Sequence, residues 1–220
     1  MSLKGKKVVF LGDSITEGVG ASCMEKRYTD VFARLTGAVC VNYGISGTRI
    51  AAQRQSLPDR ERYDDNFCER ALRMDADADI VVVFGGTNDF GHGDAPIGAD
   101  TDRTPDTFFG AMHVLCEELL TRYPVSEIVF MTPLHRLNED DPRGDAKPAD
   151  VGTLRRYVEI MRSVLEYYSI PVLDLYGSGR IQPKVGTIRE KYLPDGLHPS
   201  DAGHALIARS LKSFLEALQA

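Results

Sequence analysis

Short, almost continuously apolar runs alternate along the chain with longer segments in which apolar residues recur at helical spacing. The run Ile80-Val-Val-Val-Phe84 is typical of a strand that is covered on both faces. Alternation of such runs with amphipathic segments predicts repeated β-α units and a parallel sheet. The five predicted strands are Val8–Leu11, Val39–Tyr43, Ile80–Phe84, Ile128–Met131 and Pro171–Leu175.

The segments between these strands carry apolar stripes at intervals of three and four residues, which is the spacing of one helix face. Three clear stripes predict helices over residues 108–119, 154–168 and 207–218, and weaker patterns cover Glu25–Leu35 and Asp65–Met74. Five strands with about five helices predict an α/β fold, a three-layer α/β/α sandwich around a five-stranded parallel sheet.

The length of 220 residues is enough to bury one hydrophobic core, and we expect a single domain over residues 1–220. Two irregular stretches interrupt the β-α pattern. Residues 85–105 are rich in Gly and Asp, and residues 133–150 are strongly polar. Both follow predicted strand ends, and long connections of this kind are functional or disordered.

Composition and charge argue against nucleic acids and membranes as binding partners. The net charge is −6 with both signs mixed along the chain, whereas nucleic-acid binding needs a basic face and anionic lipid needs a polybasic patch. No apolar run approaches the roughly 20 residues that cross a bilayer, and the first residues lack a secretory signal pattern. We therefore expect a cytoplasmic protein with no nucleic-acid or membrane partner.

The four cysteines contain no C-x-x-C pair that would favour a zinc or redox site. A cysteine in apolar surroundings packs as a small hydrophobic side chain. We expect Cys23, Cys40, Cys68 and Cys116 to be unpaired, and the sequence predicts neither a cofactor nor a metal.

Three loops leave the carboxyl ends of the first three predicted strands, and each carries polar groups. They read Gly12-Asp-Ser14, Gly44-Ile-Ser-Gly47 and Gly85-Gly-Thr-Asn-Asp89. Glycines let main-chain amides approach a ligand, and an asparagine amide can donate to a developing oxyanion. The same residues also suit strand ends and helix caps. Their occurrence on one edge of the sheet, where α/β proteins bind ligands, favours a functional site.

If Ser14 is a nucleophile, it needs a base. Of the five histidines, three follow an aspartate by three residues, a spacing that is weak evidence by itself. The three pairs are Asp89/His92, Asp195/His198 and Asp201/His204.

Sequence context distinguishes the histidines. Asp201 and His204 follow Pro199-Ser200 at the start of the last predicted helix, so they fit helix architecture. His92 lies in the Gly-rich loop beside Asn88 and could shape a pocket, and His135 lies in the polar stretch and could contact substrate.

The segment Asp195-Gly-Leu-His198-Pro199 is a tight loop before that helix. Gly196 permits a sharp turn, and Pro199 disfavours helical geometry at His198. The loop could fold the Asp195 carboxylate onto imidazole Nδ1–H and leave Nε2 to accept a serine proton. A plain surface turn is the alternative at this point.

Four of these segments together resemble the four sequence blocks of the GDSL/SGNH hydrolase superfamily, in the family's order. They are Gly12-Asp-Ser14, Gly47, Gly86-Thr-Asn-Asp89 and Asp195-x-x-His198. The resemblance implies a flavodoxin-like sandwich (the SGNH hydrolase fold) that hydrolyses esters, thioesters or acetyl groups. It implies Ser14 as nucleophile, His198 as base and Asp195 as the residue that orients it. The implied oxyanion hole consists of the Ser14 and Gly47 amides and the Asn88 side chain. No G-x-S-x-G elbow of the α/β-hydrolase type is present.

Two alternatives of other classes remain. A metal ion for phosphoester hydrolysis could instead be held by Asp13, Asp89, Asp195 and His198. The chain could also be a binding module without catalysis, although it has no P-loop and no G-x-G-x-x-G after a strand.

The loops around the expected site are polar and include no apolar lid, whereas a lipase exposes a larger hydrophobic surface. We therefore expect a small-molecule ester with a short acyl group, acetyl first, on a polar and carbohydrate-like scaffold. An esterase or thioesterase for longer acyl chains is the alternative. Asp13, His92 and His135 are the expected substrate contacts.

Overall fold

The computed structural model describes residues 2–55 and 64–218. Its sheet has five strands in the order β2-β1-β3-β4-β5, and every neighbouring pair is parallel. This is the flavodoxin-like doubly wound order, so the predicted fold class is confirmed. The strands are β1 (Lys7–Gly12), β2 (Val39–Gly44), β3 (Ile80–Phe84), β4 (Glu127–Met131) and β5 (Val172–Leu173).

Nine α-helices lie within the described residues, rather than about five. The short helices α1, α4, α7 and α8 were not predicted, because one or two turns are too short to show a periodic apolar stripe. The nine are α1 (Ser14–Glu17), α2 (Tyr28–Thr36), α3 (Phe67–Ala71), α4 (Thr87–Gly91), α5 (Phe108–Arg122), α6 (Leu154–Tyr167), α7 (Leu175–Ser178), α8 (Gly186–Tyr192) and α9 (Asp201–Leu218).

Most predicted elements differ from the observed bounds by a few residues, and three of these differences have a clear local cause. The predicted helix over 25–35 is split, because Arg27 takes an extended conformation between a 3₁₀ turn and α2. α3 is shorter than the predicted helix, and Asn66 caps its start by accepting a hydrogen bond from the Glu69 amide at 3.1 Å. β5 ends early because Asp174 caps α7, accepting from the Gly177 amide at 3.0 Å.

Alternate side chains of the strands enter two hydrophobic clusters on opposite faces of the sheet. In β3, Val81 and Val83 join the cluster that contains residues of α3, α5 and α6. Ile80, Val82 and Phe84 join the cluster that contains residues of α2 and α9. The sheet is therefore the middle of three layers, which explains why β3 is apolar at every position.

The strand register brings three loops to the same level. Gly12 at the end of β1 is the register partner of Gly44 in β2 and of Phe84 in β3. The loops that follow these strands therefore leave the sheet side by side at its carboxyl edge, and they carry Ser14 and Asn88. Within the described part of the chain, no helix is both long and apolar enough to cross a membrane.

Candidate active site

Ser14 is the first residue of α1, two positions beyond the end of β1. The Asp13 carboxylate caps this short helix by accepting a hydrogen bond from the Ile15 amide at 3.0 Å. The strand, turn and helix thus follow one another without a flexible linker. This arrangement fixes the Ser14 hydroxyl at the carboxyl edge of the sheet.

Ser14, His198 and Asp195 form a continuous hydrogen-bonded chain. Ser14 Oγ lies 3.1 Å from His198 Nε2, and His198 Nδ1 lies 2.7 Å from Asp195 Oδ2. Burial opposes ionisation of Asp195, but the amides of His198 and Leu197, together with the imidazole, hold its pKa below the usual value. A charged Asp195 keeps the proton on Nδ1, so Nε2 is left to accept the Ser14 proton.

The conformation of the 195–198 loop depends on Gly196. Its φ is 83°, in the left-handed region that favours glycine, and its carbonyl accepts a hydrogen bond from the Leu137 amide at 2.9 Å. A Cβ at this position would stand 2.8 Å from Leu137 Cβ. A side chain here would therefore strain the turn that returns Asp195 to His198.

Gly47 and Asn88 join Ser14 and His198 in lining one cavity of about 300 Å³, which we call the catalytic pocket. One amide hydrogen of Asn88 is donated to the Thr48 carbonyl at 2.9 Å. The side-chain amide has a second hydrogen, which remains for a ligand in the pocket. The structure therefore brings together all five residues that the sequence placed in the catalytic set and the oxyanion hole.

Arg70 of α3 is a buried residue that sequence reasoning missed. Its guanidinium donates to Thr48 Oγ1 at 2.7 Å, to the Gly12 carbonyl at 3.0 Å and to the Tyr43 carbonyl. Burial lowers the pKa of Arg70 to about 10, which still leaves it charged at neutral pH. Arg70 thereby links the ends of β1 and β2 to the residue that holds Asn88.

Glu17 makes a second link that the sequence did not indicate. Its carboxylate accepts hydrogen bonds from the Ser46 amide at 2.6 Å and from the Ser46 hydroxyl. Glu17 lies in α1 and Ser46 precedes Gly47. The contact fixes the Gly47 loop against the helix that carries Ser14.

Two of the three expected substrate contacts are not supported. Asp13 is buried and does not line the catalytic pocket, because its carboxylate caps α1, and burial raises its pKa to about 7. His135 does not line the pocket either. Its Nδ1 is 2.6 Å from Glu139 Oε2, and its ring lies 4.0 Å from that of Tyr176.

His92, the third expected contact, does line the catalytic pocket. The Arg49 guanidinium donates to His92 Nδ1 at 3.0 Å. Desolvation of the ring and the positive charge of Arg49 lower the pKa of His92 to about 4. The ring is therefore neutral at physiological pH and presents a polar wall.

The four residues of the alternative metal site do not converge. The Asp89 carboxylate is buried and accepts hydrogen bonds from the amides of Ile50 and Ala51 at 3.0 and 2.9 Å. The Asp13 carboxylate is used in its helix cap, so neither approaches the pair of Asp195 and His198. Among the residues that the structure describes, no three His, Cys, Asp or Glu side chains are placed to hold a metal ion.

Solved structures that are similar to the chain share its fold. One solved structure is 35% identical to the chain with a TM-score of 0.84, and the match covers 99% of both chains. A protein from Lactobacillus plantarum is 30% identical with a TM-score of 0.83 over 97% of this chain and 98% of its own. A carbohydrate acetylesterase family member from Sinorhizobium meliloti shares the fold at 19% identity, with a TM-score of 0.64 over 96% and 98% of the two chains.

Among curated proteins, none matches the chain. The family model of the GDSL-like lipase/acylhydrolase family matches residues 10–206, a range that includes Ser14, Gly47, Asn88, Asp195 and His198. The chain therefore belongs to the GDSL-like lipase/acylhydrolase family and is an ester hydrolase.

Proposed function

We propose that the protein is a serine esterase that removes short acyl groups from polar, carbohydrate-like alcohols through an acyl-enzyme. The observation that carries the proposal is the hydrogen-bonded chain from Asp195 through His198 to Ser14, with the two distances of 2.7 and 3.1 Å. Gly47 and Asn88 line the same pocket and supply donors for the oxyanion.

In the first half of the reaction, Ser14 Oγ attacks the carbonyl carbon of the ester while His198 Nε2 takes its proton. The negative charge that develops on the carbonyl oxygen is stabilised by the amides of Ser14 and Gly47 and by Asn88 Nδ2–H. His198 then passes the proton to the leaving alkoxide, and the acyl group stays on Ser14.

In the second half, His198 removes a proton from water, which attacks the carbonyl carbon of the acyl-enzyme. The bond to Ser14 Oγ then breaks, His198 gives the proton to that oxygen, and the carboxylic acid leaves. Asp195 remains ionised throughout. It holds the imidazole in one tautomer and stabilises the imidazolium that forms in each half.

Polar side chains among the lining residues of the catalytic pocket support a polar alcohol. Ser46, Asn88, His92 and Asp145 contribute to it beside Ser14. The acetylesterase activity named for the Sinorhizobium meliloti structure is also consistent with a short acyl group. All four cysteines are unpaired, which supports the cytoplasm as the location.

Hydrolysis of p-nitrophenyl acetate by the wild type, Ser14→Ala and Ser178→Ala tests the chemistry. Ser178 is an exposed serine of α7 and serves as the control. We expect Ser14→Ala to lose at least about 10³-fold in kcat and Ser178→Ala to retain full activity. Activity that survives in Ser14→Ala but disappears with a chelator would instead support metal-dependent hydrolysis.

A series of p-nitrophenyl esters from acetate to decanoate tests the acyl group. We expect the highest kcat/KM at six carbons or fewer. A preference for eight or more carbons would contradict the proposal and favour a lipolytic esterase or thioesterase.

A further inference from the structure

A second cavity, of about 450 Å³, adjoins the catalytic pocket, and His92 and Asp145 line both. One wall of this side cavity is residues 93–96, which follow α4, and the other is residues 145–151 of the polar stretch after β4. Both walls lie at the carboxyl edge of the sheet. The side cavity therefore borders the catalytic pocket at His92 and Asp145.

The walls of the side cavity are anchored on α4, the helix that carries Asn88. The Asp145 amide donates to the Gly91 carbonyl at 2.7 Å, and Lys147 Nζ donates to the Asp89 carbonyl at 2.6 Å. A Cβ at Gly91 would stand 2.5 Å from Asp145 Oδ2, so the loop packs directly on the helix backbone. These contacts fix the 145–151 wall of the side cavity to α4.

The charged residues of the polar stretch are largely used in ion pairs within the protein. Arg136 pairs with Asp145 at 2.5 Å, and Glu139 pairs with Lys184 at 2.9 Å; Arg136 and Glu139 are both buried. Arg136 and Glu139 do not line the side cavity. Its charged lining residues are Arg54, Asp94, Asp145 and Lys147, but most of its lining surface is apolar. Its small apolar lining residues are Ala95, Pro96, Ala146, Pro148, Ala149 and Val151.

The position of His198 decides which half of an ester reaches the side cavity. His198 lines the catalytic pocket but not the side cavity. Because His198 must protonate the leaving oxygen, the alcohol half of the substrate lies beside it. The acyl substituent then lies on the side away from His198, and the side cavity is an adjoining space that His198 does not line.

We propose that the side cavity is an acyl subsite that selects apolar acyl groups of about four to six carbons over acetyl. The proposal rests on the proposed function and narrows its acyl group. A volume of 450 Å³ corresponds to about 15 water molecules, so an acetyl methyl would leave the cavity hydrated. Each further methylene that is buried there improves kcat/KM by about fourfold.

The test compares kcat/KM for p-nitrophenyl hexanoate and acetate in the wild type, Ala149→Phe and Val125→Phe. Ala149 lines the side cavity, whereas Val125 is 97% exposed and precedes β4 at the opposite edge of the sheet. We expect a hexanoate-to-acetate ratio of at least about tenfold in the wild type. Ala149→Phe fills the cavity and lowers that ratio about tenfold, while Val125→Phe keeps the wild-type ratio.

Acetate esters of methyl, butyl and benzyl alcohol form the second arm. Their relative kcat/KM values should be the same in the wild type and Ala149→Phe. If the alcohol series changes and the acyl series does not, the cavity takes the leaving group and the proposal is overturned. An unchanged hexanoate-to-acetate ratio in folded Ala149→Phe overturns it as well.

Inhibition of the wild type by alkylboronic acids requires no variant and covers the case in which Ala149→Phe does not fold. Boron accepts the Ser14 oxygen and places its alkyl group in the acyl position. We expect butylboronic acid to bind at least about tenfold more tightly than methylboronic acid, and equal affinities contradict the subsite. Failure of the proposed function has a different result, since Ser14→Ala would then hydrolyse the acetate and hexanoate esters as fast as the wild type does.

Discussion

Two segments only six residues apart carry the same Asp-x-x-His spacing and use it differently. In the loop before α9, the Asp195 carboxylate lies 2.7 Å from His198 Nδ1, and Nε2 faces Ser14. In the first turn of α9, the Asp201 carboxylate instead accepts hydrogen bonds from the amide and hydroxyl of Ser22 at 2.8 and 2.7 Å.

The second histidine is built into the interior. His204 is fully buried, accepts a hydrogen bond from the Tyr28 amide and donates to the Val19 carbonyl, both at 3.3 Å. Burial lowers its pKa to about 4. The Asp-x-x-His spacing therefore does not identify a base by itself. A base needs a backbone that turns the carboxylate onto one ring nitrogen and leaves the other facing a hydroxyl.

The largest predicted effect separates the two histidines. His198→Gln removes the group that accepts the Ser14 proton, so kcat/KM for p-nitrophenyl acetate should fall by at least about 10³-fold. His204→Gln should change it by less than about fivefold, because the ring of His204 is turned to Tyr28 and Val19. Comparable losses in the two folded variants would contradict the assignment of the base.

The two aspartates should differ as the two histidines do, with a large loss of kcat at Asp195 and almost none at Asp201. Asp195→Asn keeps the shape of the loop but removes the charge that fixes the His198 tautomer, and we expect kcat to fall by about 10²- to 10⁴-fold. Asp201→Asn disturbs only the contact with Ser22, so kcat should stay within about twofold. Steady-state kinetics at pH 7.5 measure both, and a fully active Asp195→Asn would remove that residue from the mechanism.

The third Asp-x-x-His pair lies around α4, next to Asn88, for which we propose the oxyanion role. Asn88→Ala removes one oxyanion donor, so kcat should fall about 100-fold while KM changes less than about threefold. An unchanged kcat with a short ester would show that Asn88 does not stabilise the transition state.

The smallest predicted effect concerns stability in acid. The folded state keeps His204 neutral down to about pH 4, whereas in the unfolded chain it takes a proton below about pH 6.5. Its contribution is therefore complete above pH 6.5 and is lost as the pH falls from 6.5 to 4. The free energy of unfolding, measured in urea, should fall between pH 7 and pH 4 in both proteins. The fall should be smaller for His204→Gln than for the wild type, by on the order of 2 kcal/mol. Equal losses would contradict a neutral, buried His204.

Local sequence pattern was sufficient for the five strands of the sheet, whereas the roles of the site residues came from the family resemblance. The ends of apolar strands placed Ser14, Gly47 and Asn88 at one edge, and Gly196 with Pro199 distinguished His198 from His204. These signals lie within a few residues of the side chain concerned, so no tertiary contact was needed to recognise them.

The supporting residues could not be found in this way, because their roles depend on distant contacts. Arg70 is 58 residues from Gly12 in the chain, and a single arginine in a short helix gives no sign that it will be buried. His135 of the stretch 133–150 was expected to contact substrate, yet its ring contacts Glu139, which is buried. Asp13 was likewise expected in the pocket and instead caps α1.

The most direct test of the central claim is the rate and site of labelling by a fluorophosphonate, followed by intact mass and peptide mapping. The probe reacts with a serine that is activated by a base. We expect a single adduct on Ser14 that forms at an unchanged rate in His204→Gln and at least about 10³-fold more slowly in His198→Gln. An adduct on another residue, or equal rates in the two histidine variants, would contradict it.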